Sequence, residues 1–163
     1  TLVLDEMGLD VMSARVLTTT DGWSYDLFQL MNQQGDVLNE EDAAELVRRL
    51  AVATRGRKPK GPVRRTVPRR LRHFSSNPKI RFAKDPDGGG SVLHIHCTDR
   101  PGLLSRIATA IFQMGAQVHN ARIATFGERV EDTFLISDAN RQPLTAEARE
   151  KLAEAITKNI EEG

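Results

Sequence analysis

Two stretches of this chain are versions of one pattern, and that repetition limits the fold more than any single motif does. Set MGLDVMSARVLTTTDGWSYDLFQL, from Met7, over MGAQVHNARIATFGERVEDTFLI, from Met114, and one single-residue gap near a turn aligns them. Met7 and Gly8 meet Met114 and Gly115, Ala14 and Arg15 meet Ala121 and Arg122, and Thr18 meets Thr125. After the gap Asp26 and Phe28 meet Asp132 and Phe134, Leu38 meets Leu144, and Leu46 and Leu50 meet Leu152 and Ile156. A register held over roughly 45 positions means two copies of one structural unit.

The second copy can be read for shape. In SVLHIHC, Leu93, Ile95 and Cys97 alternate with Val92, His94 and His96, the period of a strand with one buried face. Pro101 suits the first turn of a helix, Leu104, Ile107, Ala108 and Ile111 recur at helical spacing, and Gly115 ends the helix. VHNARIAT alternates again, Gly127 falls in a hairpin turn, and VEDTFLIS returns as a strand. Thr145 then caps a helix whose stripe is Ala148, Leu152, Ala155, Ile156 and Ile160. The order strand, helix, strand, strand, helix needs one more strand to complete a ferredoxin-like βαββαβ unit. The fold class is therefore α+β, antiparallel sheets with helices on one face.

In the first copy, the alignment puts Thr1 in the middle of the first helix, so this unit reads as truncated at its N-terminus and the chain as a piece of a longer protein. The expected organisation is a first unit over 1–53, a basic linker over 54–78, and a second unit over 85–163. KIRFAKD, near 79–84, is a candidate closing strand for the first unit or a strand shared with the second. The linker is a different kind of chain. Between 55 and 84 there are twelve lysines and arginines and no acid, interleaved with Pro and Gly. Its first half has too little apolar surface to offset its ordering entropy. Nucleic-acid binding ranks last for it, because no aromatic lies between Arg55 and Arg72 to stack on a base and segment 1–54 carries ten carboxylates against three arginines.

Composition narrows the classes further. No apolar run approaches the roughly 20 residues that span a bilayer, and no secretory signal layout opens the chain, so a cytoplasmic location without membrane partners is the default. The lone Cys97 excludes an internal disulfide and reads as a buried strand residue.

Three strings carry a family resemblance: D-R-P-G-L-L at Asp99 to Leu104, H-x-A-R-I at His119 to Ile123, and G-E-x-V-x-D-x-F at Gly127 to Phe134. With LRHFSSNPKIRF before them, they make this region resemble an ACT domain, and specifically the last ACT repeat of the bacterial bifunctional PII-protein uridylyltransferase and uridylyl-removing enzymes. The resemblance implies a regulatory, amino-acid-sensing module, with glutamine as ligand, pairing of ACT units within or between chains, and the PII signal protein as partner of the parent enzyme. It implies a nucleotidyltransferase and hydrolase, with magnesium, for that parent. The motifs of that chemistry do not occur in these residues, so no catalytic residue, cofactor or metal is assigned to this chain.

A glycine-containing helix start presents unpaired N–H groups to an anion such as an amino acid's carboxylate. Asp99 either caps those groups or accepts a ligand's ammonium. The family places ligand between this turn and the start of a partner unit's second strand, which nominates Asp99, Arg100, Pro101, Gly102, Leu103 and Leu104, with Ala116, Gln117 and His119 on the strand. The competing reading is a pairing module that binds no small molecule, its open sheet face including Leu17, Leu27 and Leu135. Other side chains carry less. His94 and His96 share a face but lack a third metal ligand, and His119 reads as a core histidine. Arg15 and Arg122 are equivalent and suit an ion contact between units or a ligand contact, and Glu131 and Asp132 point to opposite faces of one strand.

Overall fold

The computed structural model describes residues 1–55 and 77–161. The expected linker lies almost wholly between these two stretches, outside the described residues. Ten elements follow in order: α1 (Leu2–Glu6), β1 (Asp10–Thr18), β2 (Ser24–Met31), α2 (Glu40–Thr54), β3 (Lys79–Lys84), β4 (Ser91–Thr98), α3 (Leu103–Gln113), β5 (Gln117–Phe126), β6 (Arg129–Ser137) and α4 (Ala146–Glu161). The strands form one six-stranded antiparallel sheet in the order β2-β1-β5-β6-β4-β3. This is the α+β, ferredoxin-like arrangement expected from the alternation and the helix spacing. Among the described residues no helix is long and apolar enough to cross a membrane.

The repeat predicts its own geometry. β1 and β5 pair antiparallel with Ala14 opposite Ile123, Arg15 opposite Arg122 and Val16 opposite Ala121. Since Arg15 and Arg122 are equivalent in the alignment, a local two-fold axis passes between them. The contact is therefore isologous. It shows in reciprocal bonds: Thr125 Oγ1 donates to the Val11 carbonyl at 3.1 Å, and its counterpart Thr18 Oγ1 donates to Val118, the counterpart of Val11, at 3.2 Å. Bulges recur too, at Met12 in β1 and at the equivalent His119 in β5. The loop after each hairpin is the same: Asn32 Oδ1 accepts from the backbone N–H groups of Gln34 and Asp36, and Asp138 Oδ1 from those of Asn140 and Gln142. Gly35 sits in this loop with φ +84°, and the second copy forces Arg141 to φ 58° at the same place.

The side chains sort by strand face. Leu93, Ile95, Ala121, Ile123, Phe134 and Ile136 point to the helices and, with Ile107, Ile111, Leu152, Ile156 and Ile160 from α3 and α4, form the main core. Ala14 from β1 belongs to the same cluster, so the core runs across the junction between repeats. A smaller cluster of Val3, Leu4, Leu9 and Leu46 lies under the first copy.

The structure decides one boundary that the sequence left open and corrects another. β3 pairs with β4, with Phe82 opposite Leu93, at the edge of the sheet farthest from β2. It therefore fills the closing-strand position of the second unit, not of the first. Pro101 lies outside α3, which begins at Leu103 after a turn in which the Leu103 N–H donates to the Arg100 carbonyl and Gly102 takes φ +74° as N-cap. A left-handed N-cap cannot continue a helix backward, and the proline is left in the turn.

Gly90 has a different constraint. A Cβ there would lie 2.7 Å from the Ile136 carbonyl oxygen, a backbone atom fixed by the β4–β6 pairing. Gly90→Ala should lower stability by about 1–3 kcal/mol through overpacking, read as a lower urea midpoint; an unchanged midpoint would show that the strand end yields freely.

Candidate functional site

The N-terminal turn of α3 meets the other repeat. A cavity of about 230 Å³ lies between them, and Asp99, Arg100, Pro101, Gly102, Leu103 and Leu104 all border it. From the first repeat come Asp5, Leu9, Asp10 and Val11; from the floor of the sheet come Ile123, Thr125, Val130 and Asp132. The volume is below the roughly 300–1,000 Å³ of drug-sized sites and matches a small metabolite.

Ala116, Gln117 and His119 do not border this cavity. The two-fold explains it. A turn in one repeat meets the strand start of the other, so the second repeat's turn meets Leu9 and Asp10, which are the counterparts of Ala116 and Gln117. The same operation carries Ala116, Gln117 and His119 to the far end of β1, beside Thr18, where Val118 accepts its bond from that hydroxyl. His119 is half-buried with Nε2 2.7 Å from Ser137 Oγ, a satisfied histidine. The signal for Leu9 and Asp10 was present in the repeat alignment. Asp5 had none, because its place depends on how the two copies dock.

The helix start is not bare. α3 has no side-chain cap of its own, but the Asp5 carboxylate accepts a hydrogen bond from Ser105 Oγ in the first turn, and Asp5 Oδ2 lies 3.8 Å from where a Gly102 Cβ would be. The first repeat thus brings a carboxylate to the positive end of the second repeat's helix, a favourable place for negative charge. Asp99 does not cap α3. Burial raises its carboxyl above the ordinary range, while the Arg100 backbone N–H opposes the shift.

Asp132 is the most confined acid here. It is 2% exposed, its Oδ1 has no hydrogen-bond partner, and burial pushes its carboxyl up to about 7, against a bond from the Ala124 backbone N–H. Its neighbour Glu131 faces the other side of the sheet, where it lies 4.0 Å from His96, so the two acids do part as the strand period requires. The guanidinium groups of the turn and of α3 are engaged elsewhere: Arg100 Nη1 donates to the Ile160 carbonyl at 3.0 Å and Arg106 Nη1 to the Asn159 carbonyl at 3.2 Å, at the C-terminal end of α4.

The remaining candidates sit away from the cavity. His94 Nδ1 is 3.1 Å from Thr133 Oγ1 on the open face of the sheet. Among the described residues no three His, Cys, Asp or Glu side chains are placed to hold a metal ion. Arg15 and Arg122 are cross-strand neighbours of like charge on that exposed face, so they form no ion pair with each other. Burial raises the Cys97 thiol to about 12, which keeps it protonated and unreactive. A larger and more open depression of about 820 Å³, bordered by Lys79, Arg81, His96, Arg129 and Glu131, lies at the β3 edge of the open face. It is solvated and mixed in charge, and no buried group without a partner points into it.

An αββα unit and a βαββα unit thus stand side by side, with the D-R-P-G turn of the second set against the strand start of the first. Residues 91–154 match the family model described as "ACT domain". The whole chain is similar to proteins named bifunctional uridylyltransferase/uridylyl-removing enzyme. It is 35% identical over 97% of its length to that of Psychrobacter arcticus, 38% over 91% to that of Methylococcus capsulatus, and 38% over 86% to that of Pseudomonas aeruginosa. The matched regions make up 17%, 17% and 16% of those proteins, so the chain spans about a sixth of the length of these relatives. No solved structure matches the chain significantly.

Proposed function

We propose that this chain is the amino-acid-sensing module of a PII-protein uridylyltransferase and uridylyl-removing enzyme, with glutamine as the ligand of the cavity between the repeats. The observation that carries this reading is the cavity itself, formed jointly by the α3 turn of one repeat and the strand start of the other. A ligand in such a place touches both repeats. It therefore binds their docked arrangement more tightly than any arrangement in which they separate, and that difference in affinity is all an effector needs in order to shift the parent enzyme between its activities. On this reading the chain makes and breaks no bonds, and the PII protein and any magnesium belong to parts of the enzyme beyond this region.

A specific contact favours a second reading, in which the repeats pair without a ligand: Asp5 already brings a carboxylate to the α3 N-terminus through Ser105. Leu17, Tyr25 and Leu27, all exposed on the open sheet face, would serve further association.

Calorimetric titration of the 163-residue chain with glutamine separates the readings. Saturable heat is expected, and it should disappear in Gly102→Val. A side chain at φ +74° costs on the order of 1–3 kcal/mol of local strain, so the turn must move. Absence of heat with the wild-type chain would leave the pairing module.

A further inference from the structure

We propose that the Asp132 carboxylate is the group that receives the ligand's ammonium in the cavity between the repeats, so that the site selects primary amines. This deepens the amino-acid reading above and rests on it. Asp132 projects from β6 to the helix side of the sheet, opposite Ile95 of β4, where Val130, Phe134 and Ile136 on its own strand are all buried. An acid in that row is costly unless something positive meets it. Within the described residues nothing does: Oδ1 has no partner, and Arg100 and Arg106 are turned to the end of α4. The groups around Asp132 are Asp5 of α1, Asp10 of β1, Cys97 of β4, and Asp99 and Arg100 of the turn. Carboxylates outnumber cations there, which favours a small cation over an anion. An ammonium with three N–H donors satisfies Oδ1 and still reaches a second carboxylate or carbonyl.

The site acts as a carboxylate only when Asp132 has lost its proton, which burial delays to about pH 7. Binding of an ammonium must therefore release a proton wherever Asp132 is still protonated. Affinity should fall by up to about tenfold per pH unit below that point.

The test uses three ligands on the 163-residue chain and on Asp132→Asn: glutamine, its analogue lacking the amino group (4-carbamoylbutanoate), and its analogue lacking the carboxylate (4-aminobutanamide). Glutamine should bind the wild type on the order of 10- to 100-fold more tightly than the deaminated analogue, the range of a charge-assisted hydrogen bond. Asp132→Asn should remove that preference and flatten the pH profile between 5.5 and 8.5, while its urea midpoint at low pH shows that it is folded. Equal binding of glutamine and the deaminated analogue to the wild type, or a preference that survives in the variant, overturns the role of Asp132 and leaves the amino-acid reading standing. If glutamine fails to bind but 4-aminobutanamide binds and the variant loses it, the amino-acid reading falls and the ammonium site remains. Binding of no amine to the wild type overturns both.

Discussion

Raising the pH from 5 to 8.5 should make this chain easier to unfold. Asp132 has an ordinary carboxyl value of 3.8 and is pushed to about 7 in the fold, first by burial, with Asp99 adding to the rise. Between those values the folded chain holds a proton that the unfolded chain has released, so the folded state binds more protons and its stability falls as pH rises. The loss begins above pH 4 and is complete above about pH 8. The difference of about three pKa units corresponds to at most about 4 kcal/mol. Asp99, also raised by burial, contributes with the same sign. Glu45 runs the other way, held below its ordinary range by Arg49 and Arg48 on an exposed helix face. Urea unfolding of wild type and Asp132→Asn at both pH values measures the effect. The wild-type midpoint should drop by more than the variant's, which keeps the contribution of Asp99; parallel curves for the two chains would mean that Asp132 titrates normally and is not confined as described.

Ile107→Ala should cost about 2–5 kcal/mol, the range for removing a large aliphatic side chain from a packed core. Ile107 is wholly buried and lies on α3 between the turn that borders the cavity and the contact with α4. The cost includes the transfer free energy of the lost methyl and methylene groups and the void that remains, since sheet and α4 are held by their own contacts and close only partly. Chemical denaturation is again the measure, and a loss under 1 kcal/mol would show that the core collapses into the gap. A rise in the dissociation constant for glutamine in the same variant would further show that the seat of α3 matters to the cavity.

Much of this architecture was legible from short-range patterns. Leu93, Ile95 and Cys97 alternate because only one face of β4 is covered. Gly115 ends α3 with φ +69° because that conformation is nearly closed to other residues. Thr145 caps α4, its Oγ1 accepting from the Ala148 N–H at 3.2 Å. The D-R-P-G turn was equally visible, being contiguous. What could not be read was the other wall of the cavity. Asp5 and Asp10 lie about 90 residues from Asp99 in the chain, and only the antiparallel pairing of β1 with β5 brings them there. Which copy supplies the strand start of this cavity was hidden for the same reason: the rule for a site between two units names a strand start but does not say whose it is.

The sequence by itself determined the unit, its duplication, the strand and helix order and the turn that borders the cavity, since each depends on residues close together or on a repeat visible by alignment. Tertiary structure alone decided what equivalent positions mean. Asp26 and Asp132 are equivalent in the alignment, as are Leu50 and Ile156, yet Asp26 and Leu50 are exposed while Asp132 and Ile156 are enclosed. Burial is a property of what lies on top of a residue. Over Asp132 that is the α3 turn and the first repeat.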